Sequence, residues 1–203
     1  MKRKILAIFL AVALVLSAAS CSSKQKTSAD KPQDVLASFI AALNQGDLKK
    51  AGSYTNDTKA FDIGDLEAYA SAEPDSEEAF NRDLTFLLFK KLKLKGTSAY
   101  TESGDKSSLT AQIATADIKT IIEEAQIKLA DAVKADPARF SDEANVNKYM
   151  FDELKKALEA EDAKSKETEL KVTFVKVSGE WKIDITNGAN NELGSLLIGG
   201  ATE

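Results

Sequence analysis

The chain contains no histidine. That removes the commonest general base at neutral pH, the commonest zinc ligand and every Ser-His-Asp or Cys-His arrangement. It contains one cysteine, Cys21, so no intrachain disulfide can form and stability must come from burial. Basic residues are outnumbered, 27 against 32 acidic, for a formal net charge of −5. A surface of that sign argues against nucleic acid as a partner, which demands a basic face. Long hydrophobic runs are also missing. The longest, Ile5 to Leu16, is twelve residues, about 18 Å as a helix against a hydrocarbon core of roughly 30 Å. It is too short to span a bilayer.

That run has a specific setting. Lys2, Arg3 and Lys4 precede it, and the small residues Ser17-Ala18-Ala19-Ser20 lead from it to Cys21. A positive n-region, an apolar h-region and a small-residue stretch make a secretion signal. Small residues before a cysteine resemble the bacterial lipobox, with Ala18 standing where leucine is usual. The resemblance implies cleavage before Cys21, a diacylglyceryl group on its thiol and palmitate-type acyl chains that tie the protein to the membrane. The expected location is the cell membrane, facing the extracytoplasmic side. Without Lys2, Arg3 and Lys4 the remaining chain keeps 24 of the 27 basic residues against all 32 acids, a charge that serves solubility.

The expected organisation is a signal peptide over 1–20, a flexible tether over 21–31 and a single α+β domain over 32–203. Ser22 to Lys31 lacks large apolar residues and cannot bury surface. Pro32 then opens a helical pattern in which Val35, Leu36, Phe39, Ile40 and Leu43 form one stripe. Gly46 ends it, and Asp47 is placed to cap a short second helix carrying Leu48, Ala51 and Tyr54. Residues 55–74 read as a connection with a helical piece near Leu66 to Tyr69. Asp75 and Glu78 have capping-box spacing before a third helix with Phe80, Leu84, Leu87 and Leu88 on its apolar face.

The period then shifts from helical to alternating. Lys91 to Lys95 and Leu109 to Ile113 alternate around the turn residues Glu102 to Asp105, predicting an antiparallel hairpin. Two helices follow, striped by Ile118, Ile121, Ile122, Ala125, Leu129 and Val133, and by Val146, Met150, Leu154, Ala157 and Leu158. Asp136-Pro137 separates them. A second hairpin places Leu170, Val172 and Phe174 on one strand and Trp181, Ile183 and Ile185 on its return, with a turn at Ser178-Gly179-Glu180. Val175 and Val177 fall on the opposite face, which predicts a bulge or two-sided burial. Leu193, Leu196, Leu197 and Ile198 predict a final apolar turn. The fold class is α+β: N-terminal helices packed on a curved, cone-like antiparallel sheet, with a helix pair inserted at about 118–162 between two β-hairpins.

Ala41 to Ala51 (AALNQGDLKKA) and Val175 to Ile183 (VKVSGEWKI) resemble the opening helix and closing hairpin of nuclear-transport-factor-2-like domains, as found in Gram-positive lipoproteins of unassigned function. The resemblance implies a cone with a pocket at its mouth. Trp181, Phe174, Tyr54 and Tyr69 are then candidates to line it, with Phe86 and Phe89 nearby; ordinary core packing is the competing reading of such aromatics. Enzymes of that superfamily use an Asp-His or Tyr-Asp pair, and the absence of histidine excludes the first.

Elsewhere the chemistry is thin. Ser28-Ala29-Asp30-Lys31 matches S-x-x-K, but without S-D-N or K-T-G companions it is a chance match. Lys91, Lys93 and Lys95 read as the solvated face of an edge strand. Glu123-Glu124 and Asp152-Glu153 lack calcium-loop spacing and read as solvated helix faces. No catalytic residue, metal site or cofactor is expected. The expected role is a lipid-anchored, non-catalytic binding module for a small molecule, envelope polymer or envelope protein. The alternatives are an enzyme using a carboxylate/tyrosine pair in the cone, or a purely structural protein of envelope assembly.

Overall fold

The computed structural model describes residues 31–57 and 77–197. The leader, Cys21, Ser28, the helical piece at Leu66 to Tyr69, Asp75 of the capping box and Ile198 lie outside the described residues.

Helix α1, Pro32–Asn44, starts on its proline and buries Val35, Leu36, Phe39, Ile40 and Leu43. Gly46 ends it at φ 72°. The Gly46 N–H donates to Leu43 O at 2.9 Å and the Asp47 N–H to Ala42 O at 3.0 Å, a Schellman closure. The Asp47 carboxylate then accepts the Lys50 N–H at 2.9 Å and caps α2, Leu48–Ser53. One dipeptide, Gly46-Asp47, thus stops one helix and starts the next. A Cβ on Gly46 would only touch the Phe86 ring at 3.4 Å, an ordinary contact, so glycine is favoured there by φ.

Helix α3 (Glu77–Lys90) leads into β1 (Lys93–Thr97), β2 (Thr101–Ser103) and β3 (Lys106–Ala116). Helices α4 (Ile118–Ala135) and α5 (Glu143–Glu159) follow, then β4 (Ser165–Val177), β5 (Glu180–Ile183) and α6 (Asn191–Leu197). The antiparallel sheet runs β1-β3-β4-β5, with β2 also on β3. It curls into a half-barrel that the N-terminal helices fill, a cone-like α+β fold with a helix pair between its two hairpins.

The pairing of β3 with β4 is unbroken from Lys106↔Val175 to Ala116↔Ser165. The expected bulge at Phe174-Val175 is therefore absent. Phe174 faces the core, while Val175 lies half-buried on the other face between its cross-strand partners Lys106 and Lys182. The irregularity sits instead between Leu94 and Gly96 on β1. The β4–β5 turn has both central residues, Ser178 and Gly179, at positive φ, 54° and 84°. That is the type I′ pattern whose twist suits a tight hairpin.

The helix pair joins two strands that already pair with each other. It replaces what would otherwise be a short turn, and the Asp117 N–H donates to Lys164 O at 2.9 Å across its neck. The Asp117 carboxylate accepts the Thr120 hydroxyl at 2.8 Å as α4 begins.

Two cores result. The larger joins α1, α2, the concave face of the sheet and Leu193, Leu196 and Leu197 of α6. The smaller joins Leu88 of α3, Ala116, Ile121, Ala125, Leu154 and Leu158. Helix α3 serves both. Phe86 and Phe89 face the first core, while Phe80, Leu84, Leu87 and Leu88 face the second.

Candidate ligand-binding groove

Three of the four aromatic candidates come together, and they do so inside the larger core. Phe174 is 1% exposed, Trp181 6% and Tyr54 8%; Tyr69 lies outside the described residues. Phe174 pairs across the ladder with Ile183, and Ile183 donates its N–H to Tyr54 O at 2.8 Å. The Trp181 ring is roofed by its cross-strand partner Lys176, whose Nζ sits 4.4 Å from the ring centroid and 2.8 Å from Glu102 Oε1. A cation over an indole face is an attractive contact, and here it covers the edge of the core. Leu193, Leu196 and Leu197, each at most 6% exposed, belong to the same cluster.

The lysine group predicted on one strand face is divided. Lys91 lies in the turn after α3 and donates to Ala160 O at 3.0 Å, Lys93 projects from edge strand β1, and Lys95 approaches Glu167 at 3.6 Å. The alternation that suggested a strand begins in the turn that follows the helix, which moves Lys91 off the sheet. Glu153 pairs with Lys128 at 2.7 Å. That hydrogen bond raises the Lys128 pKa, opposed by partial burial and aided by the charges of Glu153 and Glu124.

A polar seam closes the sheet beyond β5. Asp184 Oδ1 accepts from Asn56 Nδ2 at 2.8 Å and from the Thr186 hydroxyl at 2.6 Å. Burial pushes the Asp184 carboxyl up, but the Thr186 hydroxyl and amide, Asn56 and the charge of Lys106 outweigh it and hold its pKa below the ordinary value. The Asn190 side chain, 8% exposed, accepts the Thr173 N–H at 3.0 Å and donates to Thr173 O at 2.9 Å and Asp184 O at 2.7 Å. It substitutes for a strand neighbour on β4. These residues satisfy backbone groups that would otherwise be orphaned. Sequence reasoning missed them, because an asparagine fifteen or more residues from its partner carries no periodic signal.

The larger described concavity lies outside the cone, between α3 and the N-terminal half of α5, with a volume of about 970 Å³. Phe80 packs on Phe151 beside Met150 to make an apolar floor. Asn81 and Asp83 stand on one wall, Asn147, Lys148 and Lys155 on the other. A second hollow of about 480 Å³ shares Asp83 and Lys155 and continues along the same helices to Phe86 and Gly46. An apolar floor with carboxamides and both signs of charge on its rim can hold a ligand by burial and hydrogen bonds. Of the aromatics named from the sequence, Phe86 lines the second hollow, while Trp181, Phe174 and Tyr54 line neither. Among the described residues no group of three or more acidic or thiol side chains converges to hold a metal ion.

Fold and groove together define a cone-like α+β domain grooved on its helical side. Residues 68–198 match the model of a family described as a domain of unknown function, DUF5105, and the chain belongs to that family. The matched stretch takes in the helix pair, while α1 and α2 precede it. Among solved structures, the fold is similar to that of a putative lipoprotein (ycdA) from Bacillus subtilis subsp. subtilis str. 168, with a TM-score of 0.53 and 15% identity. The match covers 86% of this chain and 56% of that one, so the chain spans just over half of its neighbour. No curated protein matches the chain.

Proposed function

We propose that this protein is a lipoprotein anchored through Cys21 on the extracytoplasmic side of a Gram-positive cell membrane, where it acts as a non-catalytic binding module. The leader pattern ending at Cys21 supports the anchor, as does the description of the structural neighbour. Each buried methylene contributes roughly 0.8 kcal/mol, and one acyl chain alone binds only marginally, so the two or three chains of lipobox processing are what stable attachment needs.

The observation that carries the binding reading is the contrast between a closed cone and an open groove. In this reading the domain is a nuclear-transport-factor-2-like cone whose mouth is sealed by Leu193, Leu196, Leu197 and the Lys176-covered Trp181. An enzyme of that architecture would need a polar pocket with a carboxylate beside a tyrosine. Tyr54 instead packs among apolar side chains. Binding then falls to the groove between α3 and α5, whose rim residues are free to choose a small molecule, envelope polymer or protein.

Two experiments test this. Cys21→Ser should release the protein from membranes or leave its leader uncut; a cleaved protein still bound to membranes contradicts the anchor. Native mass spectrometry of the detergent-solubilised full chain, after incubation with an extract of the source cells, tests the site. The expected added mass survives Trp181→Phe and is lost in Lys155→Ala. The reverse pattern would place the ligand in the cone, and a bare protein in every case would favour the structural role in envelope assembly.

A further inference from the structure

The helix pair is tied to itself more firmly than to the rest of the molecule. Of the 18 residues of α4 and 17 of α5, only Ile121, Ala125, Leu154 and Leu158 are buried, all in the halves nearest the neck. From Gln126 to Phe151 every residue is half-buried or exposed. The ties within the pair run its whole length. Lys128 meets Glu153 at 2.7 Å, and at the tip the Phe140 and Tyr149 rings meet edge to face at 5.4 Å with the Arg139 guanidinium 5.2 Å from Phe140. The pair's ties to the rest include the apolar stripe of α3, the Lys91–Ala160 hydrogen bond and the two chain crossings at the neck. The larger core, by contrast, gathers 22 buried residues from α1, α2, α3, the sheet and α6.

We infer that α4 and α5 open away from α3 as one unit, hinged at Asp117 and Lys164, before the sheet domain unfolds. The β3–β4 ladder continues without interruption below that hinge, so opening breaks no strand pairing. Helix α3 stays on the sheet domain through Phe86 and Phe89, and opening uncovers its stripe of Phe80, Leu84, Leu87 and Leu88. The groove between α3 and α5 opens with it. Units that open below the global barrier are those with few buried apolar contacts, and moving elements are drawn from them. A helical hairpin detached from its packing surface loses much of its helicity, because short helices in water depend on tertiary contacts.

The chain has a single tryptophan, and Trp181 lies in the larger core. Urea unfolding of the full chain can therefore be followed by ellipticity at 222 nm for the helices and by Trp181 emission for the sheet domain. The expected result is two transitions, with the first loss of ellipticity centred about 1 M below the Trp181 change. Leu158→Ala should lower the first midpoint and leave the second in place, while Ile183→Ala should lower the second. Should Leu158→Ala fail to fold, Lys128→Ala, on the exposed side of the pair, should shift the first midpoint alone in the same direction. Transitions that coincide for both probes in the wild-type chain, or a Lys128→Ala shift of the Trp181 midpoint as large as that of the ellipticity, would overturn the inference.

Discussion

The two cores of this molecule are built from similar residues but by different rules. The larger is assembled from strands and helices far apart in the chain and encloses its aromatics almost completely; Val172, Ile183, Leu36 and Leu43 have no measurable exposure. The smaller is a helix pair folded on one face of α3, and its burial fades with distance from the sheet. Burial from helices on one side and a sheet on the other encloses the first core. The second, packed on one side only, is bordered by a groove and an exposed rim. In the proposed reading, stability rests in the cone and binding falls to the groove between α3 and the insertion.

The largest expected effect comes from breaching the closed side. Phe174→Ala should destabilise the protein by about 3–5 kcal/mol, the usual cost of truncating a buried phenylalanine, and thermal denaturation would show it as loss of both cores together. A loss below about 1 kcal/mol would mean that the cone has room to collapse, and the contrast would weaken. Next comes the seam. Asn190→Ala leaves the Thr173 N–H and C=O without their side-chain partner, at a cost of about 1–3 kcal/mol. Hydrogen exchange should locate the damage at the open edge of β4 and spare α4 and α5.

The smallest expected effect is electrostatic. The pKa of Asp184 is lowered on folding, so its contribution to stability is present above the unfolded carboxylate value and is lost as pH falls through the lower folded one. Acid titration of stability below about pH 4 should therefore be shallower in Asp184→Asn than in the wild-type chain. An unchanged slope would show that the seam does not depend on that charge.

Much of the larger core was legible from periodicity. The stripe of α1 emerged as read, as did the Gly46-Asp47 relay and the Ser178-Gly179 turn, because each depends on neighbours within a few residues. Legibility failed where partners are remote or where two periods overlap. The strand expected at Lys91 to Lys95 runs as β1 over Lys93–Thr97, and the chain leaves regular strand at residues 98–100 before pairing again as β2, which alternation does not reveal. Val175 suggested a bulge or two-sided burial, because a two-residue pattern cannot tell a slipped register from a half-buried outer face; the structure shows the second. The helix pair and its place between the two hairpins emerged as read, but the pairing of β3 with β4 across its neck was not legible, since Ala116 and Ser165 meet across 48 intervening residues. For the same reason Phe80 and Met150 each read as core, and the groove they share with Phe151 became visible only when α3 and α5 met. The aromatic candidates were drawn from the cone; the open surface is elsewhere.

Native-state hydrogen exchange of the full chain, with and without an extract of the source cells, tests the central claim most directly. The account predicts that amides of α4 and α5 exchange at least tenfold faster than those of β3 and β4 in the free protein, and that any protection gained from the extract falls on α3 and α5. Uniform protection across both cores, or a gain confined to the strands around Trp181 and Phe174, would contradict it.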